Sequence, residues 1–282
     1  MELGIFTRTF TRPSLEQTLD EVAKHGFSWV QYKFMDPTIL YLEEEERANR
    51  LAAAKAALDR RQIRVAALSG TYNIIHDDPQ IVQEGEDYVR RLSEVAPSLG
   101  TNLITLCTGT KDPSNMWAFH PNNRTPEAWN QMLSALERLL QITESSQCIL
   151  GVEPEYNNIV HSAASARKLL DTLPTERVKI IVDAANLLLH CAPEARKSTL
   201  AEAFDLLGSD IVLAHGKDLK EQETHDDVIP GTGYVDFAHY LTLLKHSPYQ
   251  GPFVLHGFSE QQTPAAVTYI QSIMTALDLA DH

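Results

Sequence analysis

Eight short apolar runs alternate with segments of helical periodicity along the whole chain, and composition does not change between them. The runs are Leu3 to Thr7, Phe27 to Phe34, Arg64 to Ser69, Leu103 to Cys107 and Cys148 to Glu153, then three that end at Asp183, at His215 and near His256. Between and after them the sequence predicts helices. Ser14-Leu-Glu-Gln17 has capping-box spacing and opens a helix that Gly26 stops. Further helices are predicted over 40–61, 79–99, from Thr125 onward, and over about 161–173, 194–207, 235–246 and 262–279. The clearest places Trp129, Met132, Leu133, Leu136, Leu139 and Leu140 at helical spacing, behind an N-cap Thr125, a Pro at the first helical position and an acid in the first turn. Parallel strands need a crossover, usually a helix, so this alternation predicts a parallel sheet. Eight units predict closure: an α/β chain folded as a single-domain (β/α)8 TIM barrel over residues 1–282. The length of 282 residues suits that fold, which typically takes about 250. An open doubly wound sheet is the alternative, and no GxGxxG follows the first run to support it.

The C-terminal ends of the later runs carry the chemistry. Gly151-Val-Glu-Pro-Glu155 ends its run in Glu153, Ile180-Ile-Val182 ends in Asp183, Ile211-Val-Leu-Ala214 in His215 and Phe253-Val-Leu255 in His256. In a parallel barrel all C-terminal ends share one mouth, where chemistry collects. Strand side chains alternate in direction, so Gly151 with Glu153 and Glu155, Ile181 with Asp183, Leu213 with His215 and Val254 with His256 each share a face. All four end groups are thereby expected to point inward at one height. A lone acid or imidazole at a strand end usually caps a loop, but four in successive strands predict a divalent metal site. Two carboxylates and two imidazoles suit Mn²⁺ first, then Co²⁺, Zn²⁺ or Fe²⁺, and suit Mg²⁺ less.

At these residues the chain resembles the xylose isomerase-like TIM barrel superfamily, which includes sugar phosphate isomerases and epimerases. The resemblance covers most of the chain. It rests on Gly151-Val-Glu-Pro-Glu155, Val182-Asp-Ala-Ala-Asn186, Ala214-His-Gly-Lys-Asp218 and Pro230-Gly-Thr-Gly-Tyr-Val-Asp-Phe237. It implies metal ligands at Glu153, Asp183 and His215, and a metal-dependent isomerase or epimerase of a sugar, keto-sugar or polyol acting through a metal-stabilised enediolate. The family places a Glu at the end of strand eight and often a His three residues past the strand-six Asp. Here those positions are His256 and Asn186. Glu153 is the expected proton-transfer group, and His256 either ligates the metal or acts as its proton-transfer partner, with Glu155 or Glu260 as substitutes. The same site would serve an inosose-type dehydratase. An endonuclease-IV-like hydrolase needs more metal ligands and a basic groove, and a non-catalytic sugar-binding barrel would retain no metal.

Around this centre, Trp117, His120, Asn73, Lys217, Asn186 and Glu155 are expected substrate contacts. Trp117 would stack on a sugar face and His120 would bond hydroxyls, or both would simply pack their loop. Lys217 would neutralise a substrate oxygen or be solvated. Asp218 would orient a ligand, touch a second metal, or form a salt bridge between loops. Arg8, His76 and Asn157 are weighed as lesser contacts, and His190-Cys191 as a remote metal pair.

The remaining expectations concern setting. A net charge of −14 opposes nucleic acid as a partner. Three scattered cysteines without CxxC suit reduced thiols in the cytoplasm. No basic leader precedes a long apolar run and no apolar stretch is long enough to span a bilayer, so neither secretion nor a membrane is expected. The expected partner is a small sugar or polyol, and a homo-oligomer is left open.

Overall fold

A computed structural model describes residues 1–220 and 228–279. The chain opens with β1 (Leu3–Phe6) and α1 (Leu15–Lys24), followed by β2 (Trp29–Tyr32), α2 (Glu44–Arg60), β3 (Arg64–Ser69) and α3 (Pro79–Val95). Next come β4 (Leu103–Leu106), α4 (Pro126–Ile142), β5 (Ile149–Val152), α5 (Ala163–Thr172) and β6 (Val178–Asp183). The remainder is α6 (Ala184–Leu188), α7 (Arg196–Leu207), β7 (Ile211–Gly216), α8 (Phe237–His246), β8 (Phe253–Leu255) and α9 (Thr263–Ala276). Each strand pairs in parallel with its sequence neighbours, and β8 pairs back onto β1 to close a barrel. The fold is a (β/α)8 barrel. No helix among the described residues is long and apolar enough to cross a membrane.

Local chemistry explains the element ends. The Ser14 hydroxyl accepts from Gln17 N at 3.3 Å and the Thr125 hydroxyl from Ala128 N at 3.3 Å, each satisfying an orphan donor of its helix. The helix predicted to Leu99 stops at Val95. Pro97 has no N–H to continue it, and Pro97–Leu99 tighten into a 3₁₀ turn that ends on Gly100 at φ 82. The helix predicted from residue 40 starts at Glu44, because Pro37–Tyr41 form a separate 3₁₀ turn capped by Asp36. The second strand contracts to Trp29–Tyr32. Part of the loop predicted over 216–234 and the last three residues fall outside the described residues.

The barrel interior has two storeys. Ala67, Leu103, Ile181, Leu213 and Val254 form an apolar cluster separate from the larger core between strands and helices. Glycine makes room for these side chains: a Cβ on Gly151 would stand 3.0 Å from Leu103 Cδ1 and 3.1 Å from Ile181 Cδ1. Two residues further along the same strands lie Ser69, Thr105, Glu153, Asp183, His215 and His256. The pleat thus puts a polar storey on an apolar floor.

Beyond β7 the chain is clamped by one carboxylate. Asp218 is 0% exposed. Its Oδ1 accepts from Leu219 N at 2.8 Å and Val235 N at 3.0 Å, and its Oδ2 from Gly231 N and Gly233 N, both at 2.9 Å. This ties Pro230-Gly-Thr-Gly233 to the barrel and assigns Asp218 a loop-bridging place. Gly233 has no room for a side chain, since a Cβ would meet Leu219 O at 2.2 Å and Asp218 Oδ1 at 2.3 Å.

Two stability outcomes follow from this packing. Asp218→Ala removes the acceptor of four N–H groups, two of them in buried bonds, and should cost about 3 kcal/mol or more in urea unfolding, with Asp218→Asn costing less because one carbonyl acceptor survives. Leu213→Ala opens a void in the floor and should cost roughly 2–5 kcal/mol in the same measurement. A parent-like midpoint for either alanine variant would count against the packing described.

Candidate metal centre

Glu153, just past β5, Asp183 and His215, at the ends of β6 and β7, and His256, just past β8, come together at the mouth. One ligand atom from each lies within 4.8 Å of every other. The register explains the convergence: Asp183 pairs with His215 across β6 and β7, and His215 with Val254, two residues before His256. The two imidazoles meet edge to face with centroids 4.6 Å apart.

Each group is held by specific partners. Asp183 is 0% exposed and serves as the N-cap of α6, its Oδ1 accepting from Ala185 N at 2.9 Å and Asn186 N at 3.4 Å. Its Oδ2 lies 3.0 Å from His256 Nε2 and 4.0 Å from Lys217 Nζ. Glu153 Oε1 accepts from Asn186 Nδ2 at 2.9 Å and lies 3.1 Å from His215 Nδ1. Lys217 Nζ donates to Asn186 Oδ1 at 2.6 Å, so the ammonium reaches Glu153 through the amide.

Burial and charge compete at these groups. Burial raises the Asp183 carboxyl, but Lys217 and the bond from His256 outweigh it and hold it down to about 2. Burial, then the neighbouring His215, pull the His256 imidazole below its ordinary value against the opposing pull of Asp183. Glu155 is pushed up to about 8, by burial first and then by Glu153.

The donor set fits a divalent cation. Nitrogen and oxygen donors bind such ions at about 2.0–2.2 Å, so donors on opposite sides lie ~4.2 Å apart, close to the span found here. Two desolvated carboxylates in one mouth also need compensating positive charge beyond a single lysine.

The other predicted residues divide into near and far. Asn186 and Lys217 touch the centre directly. Asn73 is buried and ties two loops, its Nδ2 donating to Thr110 O at 2.9 Å and its Oδ1 accepting from Thr110 N at 3.1 Å. His76 bridges the same loops through Pro113 O at 3.2 Å. Trp117 lies on the loop after β4 at 43% exposure. His120 caps the turn Pro121–Arg124, its Nδ1 accepting from Asn122 N at 3.2 Å. Asn157 donates to Trp117 O at 2.9 Å. Glu260 pairs with Arg12 and is not in the cluster. Arg8 lies over the Phe6 ring, and His190 packs against Tyr156.

Two residues at the centre were not anticipated. Gln31 on β2 places Oε1 2.7 Å from His215 Nε2 and donates from its own Nε2 to Thr105 Oγ1 at 3.3 Å. The available signal was parity: Gln31 is the one hydrogen-bonding side chain besides terminal Trp29 and Tyr32 in Trp29-Val-Gln-Tyr32, two places beyond Trp29.

The residue pattern of the xylose isomerase-like TIM barrel family matches residues 19–276. L-ribulose 3-epimerase from Methylomonas sp. (strain DH-1) is 25% identical over 248 residues, 85% of this chain and 77% of that protein. Among solved structures, apo 3-keto-D-glucoside 4-epimerase from E. coli superposes with a TM-score of 0.74 at 19% identity, covering 96% of this chain and 99% of that one. IolI protein with a bound zinc atom gives 0.74 at 17% identity over 98% of both chains. The structural likenesses speak to the barrel, and the sequence pattern spans nearly all of it. The chain belongs to the xylose isomerase-like TIM barrel family.

Proposed function

We propose that this chain is a divalent-metal-dependent epimerase or isomerase of keto-sugars or polyols. The observation that carries the reading is the convergence of Glu153, Asp183, His215 and His256, with their donor atoms within 4.8 Å of one another. Kinship with sugar epimerases supports it.

Glu153, Asp183, His215 and His256 are the residues that would hold the cation. When bound, it would supply electrophilic stabilisation to a substrate carbonyl and the adjoining hydroxyl. Glu153 is the proposed base for the C–H between those two oxygens. Its Oε1 accepts from Asn186, and its side chain keeps 14% exposure toward incoming substrate. Asp183 is unsuited to that task, because helix-capping N–H groups and His256 already engage both of its oxygens. His256, oriented by Asp183 at 3.0 Å, is the proposed fourth ligand; not bound to the cation, it is instead the alternative donor to the opposite side of the carbon. A proton taken by Glu153 and replaced from the opposite face inverts the centre. A proton returned by Glu153 to the neighbouring carbon, with the hydroxyl proton passing to the former carbonyl oxygen, isomerises the sugar. Lys217, Asn186 and Glu155 border the reacting atoms and are proposed hydroxyl contacts, with Trp117 and His120 contributing from the loop after β4. The apolar floor of Ile181, Leu213 and Val254 keeps water from reaching the base from below.

Elemental analysis of the purified protein should find about one divalent ion per chain, and His256→Ala should lower that content at least tenfold. A wild-type protein that keeps no ion through dialysis and binds none on titration would sink the metal reading. Glu153→Gln should abolish deuterium exchange from D₂O into a converted keto-sugar, read by NMR. Exchange at the parent rate would remove Glu153 as the base.

A further inference from the structure

We propose that Gln31 is a positioning residue that sets the tautomer of His215 and so decides whether that imidazole can ligate a cation. The proposal rests on the metal-centre reading above.

The two ends of the Gln31 amide are chemically unlike, one an acceptor and the other a donor. The acceptor end faces His215 Nε2 at 2.7 Å, while the donor end faces Thr105 Oγ1 at 3.3 Å. All three side chains are buried, with Gln31 and His215 at 3% and Thr105 at 2% exposure. Water therefore cannot readily substitute for either contact. A carbonyl oxygen on Nε2 requires the ring proton to sit there. That leaves a lone pair on Nδ1, aimed toward Glu153 Oε1 at 3.1 Å. The same oxygen already accepts from Asn186 at 2.9 Å, so one lone pair remains on it to meet the ring. Two electron-pair donors confronting each other at this distance repel unless a positive centre lies beside them. This is the arrangement of two ligands of one cation.

The opposite amide orientation has the opposite consequence. An NH₂ on Nε2 would force the ring proton onto Nδ1, where it would be donated to Glu153. His215 would then have no lone pair directed at the centre, and the pair would be an ordinary internal hydrogen bond. The spacing favours the first arrangement, since 2.7 Å is at the short end of the N–H···O range and too tight for a nitrogen-to-nitrogen contact. An acceptor on the far nitrogen of a ligating histidine also raises its basicity toward the metal.

The two orientations predict opposite responses to one pair of variants. Gln31→Glu supplies only acceptors and should bind Zn²⁺ as tightly as wild type or more tightly in calorimetric titration. Gln31→Met removes the acceptor and should weaken binding about 10–100-fold. A purely structural role for Gln31 would not be rescued by the charged glutamate. In ¹⁵N NMR of the Zn²⁺-loaded wild type, His215 should show a protonated Nε2 and a metal-shifted Nδ1. The proposal is overturned if Gln31→Glu weakens binding as much as Gln31→Met, if Gln31→Met binds like wild type, or if the proton sits on Nδ1. Should Gln31→Met fail to fold, Gln31→Glu and the wild-type spectrum still decide. Wild-type protein that binds no Zn²⁺, Mn²⁺ or Co²⁺ at all would defeat the metal-centre reading itself, whereas normal binding that ignores Gln31 would defeat only this inference.

Discussion

Two carboxylates withdrawn from water into one barrel mouth set the terms for everything near them. Asp183 is fully buried and Glu153 nearly so, and an unpaired buried charge is among the costliest things a fold can contain. The surroundings answer with backbone N–H groups at the start of α6, an imidazole on Asp183, and a lysine connected to Glu153 through the Asn186 amide. These contacts satisfy part of the negative charge and orient the rest toward a common centre. The centre is therefore an electrostatic requirement of the packing as well as a candidate seat of chemistry.

That arrangement depends on the storey beneath it. Ile181, Leu213 and Val254 fill the barrel below Asp183, His215 and His256, and Gly151 yields its volume to Leu103 and Ile181 below Glu153. Because side chains alternate along a strand, moving β5 or β6 by one residue would turn a carboxylate into the wall and send an aliphatic group into the mouth. Floor and polar storey thus specify each other. The walls above are tied by amides and one carboxylate as well as by apolar contacts. Asn73, Asn123 and Asn158 bond the backbones of neighbouring loops, and Asp218 gathers four N–H groups from its own. Such loops can be polar on their exposed sides and still be held in place.

The end of β8 carries His256 where the resemblance to the family implies a Glu. A histidine there, bonded to Asp183, gives a centre with two carboxylates and two imidazoles. Replacing a carboxylate by a neutral imidazole removes one negative charge from the mouth and shifts the donor set toward softer divalent ions.

Much of this was legible along the chain. The eightfold alternation, the Ser14 and Thr125 caps and the parity linking Leu213 to His215 are local patterns, and the barrel and the four converging ends follow from them. The short α6 escaped notice because Ala184–Leu188 is too brief to show a period, and its start depends on Asp183 acting as a cap. Asp218 read equally well as a ligand or a bridge until its partners, up to seventeen residues away, were in place. Gln31 reads in sequence as one polar residue in a strand, and its partner His215 is 184 positions distant. The sequence by itself determined the barrel and which strand ends carry donors, because periodicity and side-chain alternation are properties of neighbouring residues. Only the tertiary structure decided which oxygen faces which nitrogen, because hydrogen-bond partners across a closed barrel are set by register and curvature, which no local stretch records.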